Sequence, residues 1–116
     1  MKLRLTLNGT SLAATLYDNA ASRDLLKLLP LELTLEDYAS AEKIAYMPRK
    51  LDTAAAPAGF DPSPGDITYY APWGNLAIFY RDQPYARGLV SLGRIESGID
   101  ALKVGGTLKL TIEAMK

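Results

Sequence analysis

Gly65-Asp66-Ile67-Thr68-Tyr69-Tyr70-Ala71-Pro72-Trp73-Gly74-Asn75-Leu76-Ala77-Ile78-Phe79-Tyr80 is the stretch from which the architecture is read. Ile67 to Ala71 is rich in Thr and Tyr, residue types that suit a pleated, half-buried surface. Pro72-Trp73-Gly74-Asn75 has the composition of a turn. Leu76 to Tyr80 is apolar throughout, which predicts a return strand buried on both faces. Downstream, Arg81 to Gly88 reads as a loop with Pro84, and Leu89 to Ile95 as a strand interrupted by Gly93. Ser97 to Lys103 reads as a short helical turn with Ile99 and Leu102 inward. After Gly105-Gly106, Leu108, Leu110 and Ile112 alternate with Thr107, Lys109 and Thr111, the two-residue period of a strand.

Upstream of the hairpin, Asp52 to Pro64 carries three prolines and a run of Ala, and reads as a loop. Lys43 to Tyr46 is a short strand, and Leu31, Leu33 and Leu35 alternate with Glu32, Thr34 and Glu36 in another. Ala21, Leu25, Leu28 and Leu29 recur at helical spacing. Asp18-Asn19 can accept hydrogen bonds at the helix start, and Pro30 ends it, so the spacing predicts a helix of about ten residues. The chain opens with Leu3, Leu5 and Leu7 alternating with Lys2, Arg4 and Thr6. Asn8-Gly9, a pair that tolerates the positive φ of a tight hairpin, leads into a second strand at about Ser11 to Tyr17. The expected fold is mostly β, with about eight short strands, one main helix and one short helix in a single domain, 1–116. So many short strands argue for a sandwich or small barrel. The matching patterns of the first and last strands predict that they pair and close a barrel, leaving no free edge.

Composition narrows the chemistry. The 116 residues hold 13 Lys+Arg, 13 Asp+Glu, no His and no Cys. A thiol nucleophile, a Ser-His-Asp triad and a zinc–thiolate site are therefore excluded. Basic and acidic side chains number 7 and 7 in residues 1–58, and 6 and 6 in 59–116, so no basic stretch points to nucleic acid. No apolar run approaches the ~20 residues of a membrane helix. The expectation is a cytoplasmic protein without nucleic-acid or membrane partners. No phosphate loop, dinucleotide fingerprint or metal-spaced carboxylate cluster is present, so no cofactor or metal is expected.

Two segments carry a resemblance. Gly88-Leu89-Val90-Ser91-Leu92-Gly93-Arg94-Ile95-Glu96-Ser97-Gly98-Ile99-Asp100-Ala101-Leu102 resembles the C-terminal pattern of cyclophilins: apolar strand, Gly, basic residue, aliphatic, then a Gly and a short helix. The Gly65–Tyr80 stretch is similar to that of a group of small prokaryotic cyclophilin-like proteins of unassigned activity. The opening hairpin, the following helix and the length fit the same group. The resemblance implies an eight-stranded closed barrel with helices capping its ends. It does not hand over the prolyl isomerase site, which uses an Arg with a Phe, a Gln, a Trp and a His. This chain has no His. Ala45-Tyr46-Met47-Pro48-Arg49 stands nearest in order to the arginine motif, and Leu76-Ala77-Ile78-Phe79-Tyr80 stands where the Gln motif is sought. Some relatives are joined to flavodoxin-like domains, which implies a flavoprotein partner.

Candidate residues follow from the residues themselves. Tyr69, Tyr70, Trp73, Phe79, Tyr80 and Tyr85 place six of the ten aromatics within 17 positions. They either line a groove for a proline-bearing peptide or flat ligand, or divide between core and turn. Arg49 is either a donor to a substrate carbonyl or a surface residue at a strand end. Asn75 and Asp66 read first as turn residues, and Arg87, Arg94 and Glu96 as a polar rim. The expected ligand site is Tyr46, Arg49, Tyr70, Trp73 and Phe79, where the central hairpin meets the Tyr46–Arg49 segment. The expected activity is binding of a peptide or small ligand without efficient prolyl isomerisation. The alternative is a divergent isomerase with Arg49 as the donor.

Overall fold

In the computed structural model, which describes residues 1–115, the two-residue period organises the chain. Strand β1 (Lys2–Leu7) buries Leu3, Leu5 and Leu7 and leaves Lys2 and Arg4 in solvent. Asn8 and Gly9 take φ of 45° and 88°, the left-handed pair that a tight hairpin needs, and β2 (Thr10–Leu16) returns. Helix α1 (Ala20–Leu26) begins where Asn19 Oδ1 accepts from the Ser22 N–H at 2.9 Å. It is shorter than the apolar spacing predicts. The N–H groups of Leu28 and Leu29 reach back to the carbonyls of Leu25 and Leu26, so the last turn tightens to three-residue bonds before Pro30. Leu28 and Leu29 still pack on the core.

The remaining strands are β3 (Leu31–Tyr38), β4 (Glu42–Tyr46), β5 (Gly59–Phe60), β6 (Asp66–Tyr70), β7 (Asn75–Phe79), β8 (Ala86–Arg87), β9 (Leu89–Ile95) and β10 (Leu108–Ala114). A 3₁₀ turn, Ile99–Lys103, precedes the last of them. Eight form a closed antiparallel barrel in the order β1-β10-β3-β4-β7-β6-β9-β2. Closure is made by the chain ends, with Leu5 opposite Ile112 and Leu7 opposite Leu110. All of these side chains face one interior, as the matched alternation predicts. Leu25 of α1 and Leu102 of the 3₁₀ turn, both fully buried, join that core.

Strand β7 is buried on both faces, as its apolar run predicts. Leu76 and Ile78 point into the barrel, while Ala77 and Phe79 point outward into a second cluster with Leu89. A two-stranded ribbon packs over that outer cluster. In the ribbon β5 pairs with β8, Phe60 opposite Ala86, and both pack on the cluster with Ile44 and Tyr70. Both ribbon strands fall in segments expected as loops, since two residues are too short to show a period.

Lys43, 1% exposed, is the one lysine or arginine among the buried residues described. Its ammonium donates to the carbonyls of Val104 at 2.8 Å and Gly106 at 3.2 Å, and lies 3.4 Å from Asp37. Burial of a charge is tolerated only with such partners. Asp37 in turn accepts from the Tyr80 hydroxyl. Burial, with Asp37 adding to it, pushes that phenol up to about 12.

Candidate binding cleft

The ribbon packs on the outer face of β7, whose residues are all buried. Beside the ribbon a cleft of about 260 Å³ remains open. Its walls come from separate parts of the chain: Tyr38 ends β3, Glu42 begins β4, Tyr70 ends β6, Trp73 occupies the hairpin turn, and Tyr85 precedes β8. Asn75, Phe79 and Leu89 line it from the sheet, and Pro62, Gln83, Pro84 and Ala86 from the connecting segments. Five of the ten aromatics thus converge here.

Local chemistry explains the turn that carries Trp73. The N–H groups of Trp73 and Gly74 both donate to the Tyr70 carbonyl, at 3.2 and 2.9 Å, and Gly74 supplies the positive φ of 70°. The indole then stands edge-on to two rings. Its centroid is 5.5 Å from Tyr38, at an interplanar angle of 86°, and 5.5 Å from Tyr70, at 80°. Such edge-to-face contacts are worth about 0.5–1.5 kcal/mol each beyond area burial. Even so, Trp73, Tyr38 and Tyr85 remain 49%, 43% and 57% exposed. Together they form an exposed aromatic patch at the rim of the cleft.

Two polar groups of the cleft are unusual. Glu42 is its one charged lining residue among the described residues. Half-burial without a compensating partner pushes its carboxyl up to about 7. Asn75 is 1% exposed; its Nδ2 donates to the Leu76 carbonyl at 3.1 Å, while Oδ1 has no partner among the described residues. A buried carbonyl oxygen without a donor is a standing cost of about 1–3 kcal/mol.

Of the five residues expected to form the site, the structure brings Tyr70, Trp73 and Phe79 together in this cleft. Tyr46 and Arg49 are not among its lining residues. Tyr46 lies opposite Asn75 in the β4–β7 register and is 65% exposed. The Arg49 guanidinium makes a two-pronged bond to Asp24 of α1, both distances 2.8 Å, and the Asp52 N–H donates to the same carboxylate. These bonds hold the Asp24 carboxyl down at about 2. Arg49 therefore ties the loop after β4 to the helix.

Tyr38 and Glu42 escaped sequence reasoning, because nothing in β3 or β4 announces proximity to the hairpin turn. Asn75 read as a turn residue, whereas it opens β7 and floors the cleft. The rim residues separate: Arg94 meets Asp66 at 3.0 Å, whereas Glu96 accepts from Lys2 and Thr15. Asp66 also accepts from the Ser63 N–H at 2.7 Å, which is turn chemistry. Arg87 lies in β8 and is exposed. A second cavity of about 400 Å³, walled by Ala21, Ala56, Pro57 and Phe60, shares Leu89 with the first. No group of three or more carboxylates among the described residues is placed to hold a metal ion. No helix among them is long and apolar enough to cross a membrane.

The profile of the cyclophilin-like family matches residues 5–113 of this chain. No curated protein matches it. Among solved structures, the chain is similar to the solution structure of a hypothetical protein from Archaeoglobus fulgidus. The identity is 19% and the TM-score 0.68, over 97% of this chain and 93% of that one. At that identity the likeness concerns the fold.

Proposed function

The chain belongs to the cyclophilin-like family, and from that premise we propose a cytoplasmic binding module that takes a peptide or small ligand in the aromatic cleft without efficient prolyl isomerisation. The observation that carries the reading is the cleft itself: three half-exposed aromatics around a floor with an unpartnered buried oxygen. Pockets that bind ligands combine apolar walls with a few convergent polar groups. The adjoining Leu89-sharing cavity gives an extended ligand somewhere to continue.

Prolyl isomerisation has a barrier of ~18–20 kcal/mol, and a positioned donor helps the C–N bond lose its double-bond character. Arg49, the donor offered by the sequence, is spent on Asp24. The partner class proposed with this reading is a flavoprotein, on the resemblance to relatives joined to flavodoxin-like domains; co-purification with a flavin-bearing chain is its test.

NMR exchange measurements on an Ala-Pro peptide test the main reading. Isomerisation is expected at the solvent rate while the Trp73 indole resonance shifts with added peptide. A rate well above background that collapses in Arg49→Ala overturns it in favour of a divergent isomerase. A Trp73 signal indifferent to proline peptides and to small aromatic and amine ligands overturns binding.

A further inference from the structure

Two polar groups of the cleft are acceptors without a donor among the described residues, while the Trp73 indole and the Tyr38, Tyr70 and Tyr85 hydroxyls stand on its walls. Among the described residues, Glu42 is the only charged lining residue and carries no ion pair. Asn75 Oδ1 is buried and unpartnered, and the bond from its Nδ2 to Leu76 fixes the sense of the amide, so the vacant atom is an acceptor. Gln83 turns its amide nitrogen to the Asp82 carbonyl at 2.9 Å. A site with a lone carboxyl and a lone carbonyl oxygen is complementary to N–H donors and to positive charge, and electron-rich ring faces favour the same charge.

The register gives the spacing. Glu42 lies opposite Phe79, and Asn75 lies at the other end of β7, four residues along. At ~3.3 Å per residue the two positions are about 13 Å apart along the backbone. One small cation does not reach both; an elongated ligand does. The lining also carries the apolar side chains of Phe79 and Leu89 and the rings of Tyr38 and Trp73.

Resting on the binding reading above, we propose that the cleft selects an elongated organic ammonium, its charged head at Glu42, its alkyl body along the aromatic walls and a second N–H donor at Asn75 Oδ1. A lysyl side chain with its backbone amide has this chemistry, and so does a free diamine. The ligand charge supplies the counter-ion that Glu42 lacks, so binding draws the carboxyl towards ionisation and releases a proton. The other titratable or charged groups about Glu42 do not supply that charge. Tyr38 from β3 and Tyr85 across the cleft are phenols. Arg81 lies 5.9 Å over the Tyr80 ring, and Asp37 and Lys43 pair with each other across β3 and β4.

Trp73 is the only tryptophan, so its fluorescence reports on the cleft. The probes are Nα-acetyl-lysine methylamide and its neutral counterpart, Nα-acetyl-norleucine methylamide, with 1,5-diaminopentane as the free amine and acetyl-Ala-Pro methylamide as an uncharged peptide. At pH 8 the lysine probe is expected to bind at least about tenfold more tightly than the norleucine probe. The preference should shrink at pH 6, where Glu42 keeps its proton, and vanish in Glu42→Gln, with circular dichroism confirming that the variant is folded. Diaminopentane binding as well as the lysine probe assigns a free amine as the source, and binding by the lysine probe alone assigns a peptide; both support the selection. Norleucine binding equal to lysine, a preference that survives Glu42→Gln, or a response to acetyl-Ala-Pro methylamide alone overturns the selection and leaves the binding reading standing. No Trp73 response to any probe overturns both.

Discussion

Glu42→Gln should stabilise the empty protein at neutral and alkaline pH. The folded chain holds this carboxyl at about 7 against 4.5 for an unperturbed glutamate, through burial alone. The folded state thus keeps a proton that the unfolded state has released, and stability falls as pH rises from about 4.5 to about 7, then levels off. Each tenfold in proton affinity is about 1.4 kcal/mol, so the full difference is about 3 kcal/mol; half-exposure to solvent reduces it to about 1–2 kcal/mol. Glutamine has nearly the same shape and cannot ionise. The variant should match the parent near pH 4, where both side chains are neutral. Above pH 7.5 it should exceed the parent by about 1–2 kcal/mol, several degrees in Tm for a chain of this size. Urea unfolding followed by Trp73 fluorescence at pH 4, 6 and 8 measures this. The acidic groups with lowered values, Asp24, Asp37 and Glu96, have the opposite slope but are common to both proteins and cancel in the difference. A variant no more stable than the parent at pH 8, or a difference independent of pH, refutes the reasoning.

Asp24 is held at about 2, chiefly by the hydrogen bonds from Arg49 and then by the Asp52 N–H, so its contribution is present above its usual value of 3.8 and is lost as pH falls towards 2. Arg49→Met should therefore move the midpoint of acid unfolding, followed by far-UV circular dichroism, to higher pH; coincident curves would show the pair to be idle. Leu92→Ala, at a position 0% exposed, should cost about 2–5 kcal/mol in denaturant unfolding, while Arg4→Ala on the outer face should change stability by less than about 0.5 kcal/mol. A Cβ on Gly93 would meet the Thr15 carbonyl oxygen at 2.2 Å, whereas one on Gly105 meets nothing within 4 Å. Gly93→Ala should thus lower Tm sharply and Gly105→Ala should leave it unchanged or raise it. Lys43→Met keeps the buried stem but removes the donor to Val104 and Gly106, and should cost about 1–3 kcal/mol with faster amide exchange through Ile99–Gly106.

The strands, their inward leucines and the closure of the barrel were legible because each depends on a short-range pattern. Alternation at Leu3–Leu7 and at Leu108–Ile112 marks which face is buried whatever the partner, and two such faces with no other cover meet each other. Asn8-Gly9 specifies its turn through its own backbone preferences. The apolar run Leu76–Tyr80 likewise announced burial on both faces, though not that a ribbon of two-residue strands supplies the outer cover. The cleft was half legible: the aromatic cluster gave Tyr70, Trp73 and Phe79, which one hairpin holds together. Arg49 went elsewhere because Asp24, 25 residues earlier, offers a carboxylate in reach, and the spacing of those two residues records no such proximity. Tyr38 and Glu42 reach the cleft only because β4 pairs with β7, and Lys43 is buried only because β4 directs it towards the carbonyls that follow the 3₁₀ turn. Periodicity is a property of neighbouring residues and can be read along the chain. A site made of side chains from separate segments, and the pKa of a carboxyl among them, depends on distances that exist only once the barrel has closed.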